Sequence, residues 1–353
     1  MLVLTGQRDE ARAMFQRGLD ALGERDAITR ARLNRLMANT WTLNRHKIEA
    51  ERFLNAAQRA LGEASSEREN VWWDEFIEIG LERLWFMYWF FEQENRMREL
   101  VEHLEPSINR SGTPTQRSKY YRSRALFELS CCHWFHPEDH VLLLAEQAVA
   151  AARQGATLFE LCFAMFGRGF VYLWRDDLDV ALAQFMDMLA IAERCGDSER
   201  VVLGVNYIAL TYRRLHRVAE TQDFAERTMI LAKSANMPVY IGQAKGNLAW
   251  VDLQRGEYIS AEQKAREGLG LLAPPIPVSW TVTLPLVAAL HQRRETTEAV
   301  DLLEKTLAGL QRLAPPVEAA IQVVITANKA QGLHAVYEGI DAVLTVAKRY
   351  AYL

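Results

Sequence analysis

The sequence predicts an all-α fold, a right-handed superhelical solenoid of antiparallel helix pairs, with about eight to nine repeats in one domain spanning residues 1–353. Three observations predict it. Small and bulky residues recur in a fixed order at steps of about 40 residues. Helix caps and breakers fall between the recurring segments. No run alternates apolar and polar residues as a half-buried strand would. Val323-Val324-Ile325 comes nearest, and it lies within a helical period.

The repeat is clearest in mid-chain. Gly169 and Tyr172 are followed by Ala181, Phe185 and Met188; then Ala209 and Tyr212 by Thr221, Ala225 and Thr228; then Ala249 and Asp252 by Ala261, Ala265 and Gly268. The first small residue belongs on helix A of a pair and the second on helix B, so the two can approach closely. The last lets helix B meet the next pair. Extending the register places helix-B anchors at Ala11, Ala50, Met97, Val141, Ala181, Thr221, Ala261, Ala299 and Ala335, with steps of 39, 47, 44, 40, 40, 40, 38 and 36.

Gly169-Tyr172-Ala181-Phe185 and Ala38-Trp41-Ala50-Leu54-Ala57 resemble the tetratricopeptide repeat. The period exceeds that family's usual 34 residues, which longer helices would explain. It is similar to the sensor arms of bacterial LuxR-type and maltose-regulator-like signal-transduction ATPases. That resemblance implies a binding module within a regulator.

Punctuation supports the register. Thr113-Pro114-Thr115-Gln116 reads as an N-cap, a proline in the first turn and a capping-box glutamine; Ser66 and Glu69 suggest a second box. Pro137 and Pro238 sit at expected helix starts, and Gly62, Gly112, Gly155 and Gly196 at expected stops. The densest break, at Pro274, Pro275 and Pro277, separates a repeat array (23–273) from C-terminal repeats or a cap (274–353); Pro315-Pro316 looks like the same punctuation one repeat later. Residues 1–22 form a truncated first repeat. Ala11 comes so early that its partner helix would start before Met1, and Leu2–Leu4 read as the tail of a missing helix. Either the chain begins with an atypical cap or it belongs to a longer polypeptide, and the second is favoured because a cap should carry a polar outer face.

Composition excludes several function classes. A net charge of −4, with scattered basic residues, argues against direct nucleic-acid binding. Four cysteines without framework spacing fit reduced thiols in a cytoplasmic protein. Arg8, Asp9 and Glu10 interrupt any leader, and the charges within Val71–Phe91 make a membrane span expensive. Cys131, Cys132, His133, His136 and His140 invite a metal reading, but Pro137 separates the histidines and no second cysteine pair completes a tetrahedron. No Gly-rich phosphate loop, nucleophile elbow or His-Glu-x-x-His is present. No enzyme activity, cofactor or metal is expected, and the acidic residues are expected on solvated helix faces.

Helix-A positions one, four and five residues after each small anchor are expected to line the inner face. They align Ser130, Phe170, Leu210 and Trp250; His133, Leu173, Arg213 and Leu253; and Trp134, Trp174, Arg214 and Gln254. With an anchor near Trp85, Phe86, Trp89 and Phe90 join them, and Asn206 and Asn247 lie one turn earlier on their helices. The candidate ligand-binding residues are thus Trp89, Phe90, His133, Trp134, Phe170, Trp174, Asn206, Arg213, Arg214 and Trp250. An exposed row would grip apolar side chains at its aromatic end and polar or acidic groups at its arginine end; a buried row would be inter-helix core. Val71–Phe91, aromatic nearly all round, is either an enlarged core helix or a docking patch.

The expected partner is a protein or peptide segment, with an ATPase or DNA-binding domain fused or associated. A free-standing adaptor or chaperone-like scaffold is the alternative; a helical enzyme or metal protein rests only on the Cys131–His140 cluster.

Overall fold

The Thr113–Gln116 capping box closes as its sequence implies. The Gln116 backbone N–H donates to Thr113 Oγ1 at 3.2 Å, and Thr113 N–H donates to Gln116 Oε1 at 3.0 Å. Gly196 stops its helix in the left-handed conformation at φ 66°, and Pro238 opens the third helix after it. The computed structural model describes residues 8–44, 46–64, 70–90, 94–272, 276–307, 311–330 and 333–353. Leu2–Leu4, the Ser66–Glu69 box, Phe91, Pro274 and Pro275 lie outside them.

Among the described residues there are 17 α-helices and no strand. Helix α1 (Arg8–Leu22) packs against the helix that follows it. Eight pairs follow: α2 (Ala27–Leu43) with α3 (Lys47–Glu63), α4 (Asn70–Trp89) with α5 (Glu94–Ser111), α6 (Pro114–Cys131) with α7 (Asp139–Arg153), α8 (Leu158–Trp174) with α9 (Leu178–Cys195), α10 (Ser198–Arg214) with α11 (Val218–Ser234), α12 (Pro238–Gln254) with α13 (Tyr258–Leu271), α14 (Trp280–Gln292) with α15 (Thr296–Leu307), and α16 (Pro315–Lys329) with α17 (Leu333–Arg349). Val323-Val324-Ile325 lies within α16.

Packing resolves two compact units: 1–131 with 138–168, and 132–137 with 169–353. The division falls within α8 and around the turn after α6. In the first unit, buried Ala38, Ala50, Leu54, Ile77, Leu84, Leu104 and Phe127 share one core. A helices touch the next A helix, α2 with α4 and α4 with α6 in the first unit, α10 with α12 and α12 with α14 in the second; at the last pair α14 and α15 both touch α17 instead. From α2 to α6 and from α10 to α14, among the described residues, the A helices therefore form the inner layer.

The small anchors sit where the close approaches require them. A Cβ on Gly169 would lie 2.9 Å from the Phe185 ring, and one on Gly242 2.9 Å from the Gly268 carbonyl oxygen. Ala50, Ala181, Thr221, Ala261 and Ala299 are fully buried. Two anchors are corrected. Ala335 is exposed and Val336 takes its buried place, because α17 presents its apolar stripe one residue later. Trp85 is half-buried and not a crossing anchor; the close contact on α4 is made by Gly80, whose Cβ would collide with Leu104.

Candidate functional site

In the first unit the inner layer carries stripes spaced i, i+3 or i+4, and i+7, the spacing that keeps side chains on one helix face. Helix α4 presents Glu75, Glu78, Glu82, Trp85 and Trp89; α2 presents Arg32, Arg35 and Asn39; α6 presents Lys119 and Arg122; and α8 presents Glu160 and Phe163. Opposite charges meet across adjacent A helices. Arg35 Nε donates to Glu75 Oε1 at 2.6 Å, Lys119 Nζ to Glu78 at 2.9 Å, and Asn39 Nδ2 to Glu82 Oε1 at 2.9 Å. Glu160 accepts from Ser118 Oγ at 2.9 Å and Arg122 Nε at 3.3 Å.

The ionic network leads into an aromatic cluster. The Arg122 guanidinium lies 3.9 Å from the centre of the Phe163 ring and 5.7 Å from that of Trp85. Trp85 meets Phe163 edge-on at 5.4 Å and Trp89 at 5.5 Å. Trp85 of α4 and Phe163 of α8 thus meet directly, and Arg122 of α6 lies against both rings. Trp85, Trp89 and Phe163 are half-buried, so part of each remains reachable. Rings of this kind give large contact area at low entropic cost, and the cation adds ring-face attraction.

Two carboxyls one turn apart are tuned in opposite directions. Burial works to raise Glu78, but Lys119 and Arg35 overcome it and hold this group below its usual range. Burial dominates at Glu82 and holds it above that range, with Asn39 and Arg35 only partly offsetting. The stability Glu78 contributes is present above its unfolded pKa and is lost as pH falls through the folded value. Glu82 contributes with the reverse sign: its stability is present below the unfolded pKa and is lost as pH rises through the folded value. At pH 7, Glu78→Gln should therefore destabilise and Glu82→Gln stabilise, each by about 1 kcal/mol. Urea titrations from pH 7 down to pH 3 should show both differences shrinking; the same sign for the two variants at pH 7 would contradict the assignment.

In the second unit the expected column is brought together, but it is covered. Trp134 lies 5.9 Å from Trp174 and 5.1 Å from Phe170, and the Arg214 guanidinium lies 5.8 Å from the Trp174 ring. Trp134, Phe170, Trp174, Asn206, Arg213, Arg214 and Trp250 are all buried. This corrects the expectation of an exposed row. Helix α6 ends at Cys131, so His133 and Trp134 lie in a turn at φ 52° and 56° rather than on helix A. His133 is exposed, and Phe90 packs on Phe86 at 4.9 Å beside the core. Asn206 donates to Gln243 Oε1 at 2.9 Å, and Arg214 is held by Asp176 and the Leu173 carbonyl. Of the ten candidates, Trp89 lies in the open aromatic cluster.

Trp85, Arg122 and Phe163 were missed, as was the charge network. The expectation of solvated carboxylates is corrected: Glu75, Glu160 and Asp252 are buried and paired. A signal was available. Arg35 and Glu78, then Glu78 and Lys119, are opposite charges separated by one repeat period. Among the described residues no group of three His, Cys, Asp or Glu is placed to hold a metal, and no helix is long and apolar enough to cross a membrane.

Tandem helix pairs with small residues at their crossings define a tetratricopeptide-like helical array. Solved structures share it at low sequence identity. A Rap protein complexed with competence and sporulation factor matches with a TM-score of 0.63 and 11% identity, over 91% of this chain and 98% of that one. NprR in complex with its cognate peptide NprX matches at 0.58 and 15%, over 87% and 82%. A signal-transduction ATPase with numerous domains and a tetratricopeptide repeat sensor, from Pyrococcus horikoshii, matches at 0.53 and 12%, over 87% of this chain and 46% of that one. No family model and no curated protein sequence matches the chain.

Proposed function

We propose that the chain is a peptide- or protein-binding module, the sensor or scaffold region of a larger bacterial regulator, and not an enzyme. The observation that carries this is the half-open Trp85–Trp89–Phe163 cluster around Arg122, on the inner layer beside Glu78, Glu82 and Lys119. It offers ring faces to apolar side chains, and charges of both signs to a peptide's polar groups. The bound peptide of NprR and the factor held by the Rap protein support the same use of a similar fold. The repeat sensor of the Pyrococcus ATPase supports a place beside an ATPase domain.

Peptides selected from a random library on the intact chain provide the test. Trp85→Ala with Trp89→Ala should weaken their binding by about 30-fold or more, roughly 2 kcal/mol, while leaving helix content intact. Ile230→Ala with Ile259→Ala, at exposed positions on B helices, should leave affinity unchanged. The opposite ranking would reject the inner layer as the binding surface.

A further inference from the structure

Arg213 is among the largest fully buried side chains, and its charge has no carboxylate partner among the described residues. Its guanidinium donates only to neutral oxygens: Asn247 Oδ1 at 3.3 Å, the Thr281 carbonyl at 2.7 Å and the Tyr352 carbonyl at 2.8 Å. Nε makes no hydrogen bond. Trp250 and Trp280 flank the group, their ring centres 5.9 and 5.2 Å away. The adjacent Arg214 shows the contrast, because it has Asp176 at 2.8 Å. A buried cation without a counter-charge is destabilising. A forked donor between two indoles, with an amide beside it, is complementary to a carboxylate on an apolar chain.

The third acceptor arrives on a short segment from 139 residues away. Tyr352 sets its ring edge against Trp280 at 4.8 Å, accepts from Ala314 N–H at its phenol oxygen at 3.1 Å, and donates its own N–H to the Ala347 carbonyl at 2.9 Å. To reach this position the chain turns through Ala351 at φ 57°, a left-handed conformation that costs a non-glycine residue about 1–2 kcal/mol. Burial of Tyr352 and Leu353 and these bonds hold the segment against a backbone strained at the turn.

We propose that residues 350–353 are a resident stand-in on a carboxylate-recognising site built from Arg213, Asn247, Trp250 and Trp280, and that an aromatic peptide with a free carboxylate displaces them. The site uses none of the residues of the open cluster in the first unit, so its test is independent of the reading above.

The probe is a labelled pentapeptide copying Lys348–Tyr352, made as the free acid and as the amide, with binding read by fluorescence anisotropy on the full chain. The acid form places its carboxylate where the Tyr352 carbonyl now sits. Tyr352→Ala, which removes the ring and hydroxyl anchors, should bind the acid peptide about 10-fold or more tighter than the parent does, and about 10-fold or more tighter than it binds the amide. Adding Arg213→Gln should abolish the preference for the acid. A folded Tyr352→Ala protein that binds acid and amide equally, or no tighter than the parent, would overturn the proposal. Should Tyr352→Ala fail to fold, hydrogen exchange on the unaltered protein decides: the Tyr352 amide should exchange about 100-fold faster than amides within α12, and equal rates would overturn the proposal.

Discussion

Ala181→Arg should destabilise the second unit by about 3–5 kcal/mol. Ala181 is fully buried on α9, one turn before Phe185, whose ring already sits so close to Gly169 that a single added carbon would meet it. A long cationic side chain there must either separate the helices or be buried unpaired. Because repeats couple mainly to their neighbours, the damage should spread from α8 and α9 outward. Chemical denaturation with hydrogen exchange checks both parts: loss of protection first in these helices, then in the rest of the unit. A variant melting like the parent would place Ala181 away from a crossing.

Glu160→Ala should be as damaging in the first unit. Glu160 and Arg122 are both buried, and they pair at 3.3 Å with Ser118 completing the carboxylate's bonds. Removing the carboxylate leaves the Arg122 charge buried, at a cost of about 3–5 kcal/mol. The compensating experiment is Glu160→Leu with Arg122→Met, which removes both charges and keeps the volume. The pair should recover most of the loss, since an apolar replacement of a buried ion pair is often neutral or stabilising. A double variant as unstable as Glu160→Ala would mean that packing, not the stranded charge, sets the cost. The same double variant removes the cation from the Trp85–Phe163 cluster, so peptide affinity measured on it separates the contribution of Arg122 to binding from its contribution to folding.

The helix pairs were legible because backbone crossings tolerate only small residues. Ala50, Ala181 and Ala261 recur for that reason and are fully buried. Trp134 lies beside Trp174, and Trp174 beside Arg214, but Trp134 does so from a turn and not from helix A. What a period cannot encode is which neighbours stay uncovered. Arg213 is enclosed by Thr281 and Tyr352, which lie 68 and 139 residues along the chain, and no local spacing announces such a cover. In the first unit the opposite error arose. Glu78, Glu82, Lys119 and Arg122 look like an ordinary solvated charge run, yet they join A helices one repeat apart and border the open rings.

The most direct measurement is photo-crosslinking with a library-selected peptide, comparing a photoreactive phenylalanine at position 163, on the inner layer, with one at position 259, where Ile259 is 75% exposed on α13. The account predicts peptide adducts from position 163 and none from position 259. Adducts from 259 with none from 163 would contradict it and move the binding surface to the outer helices.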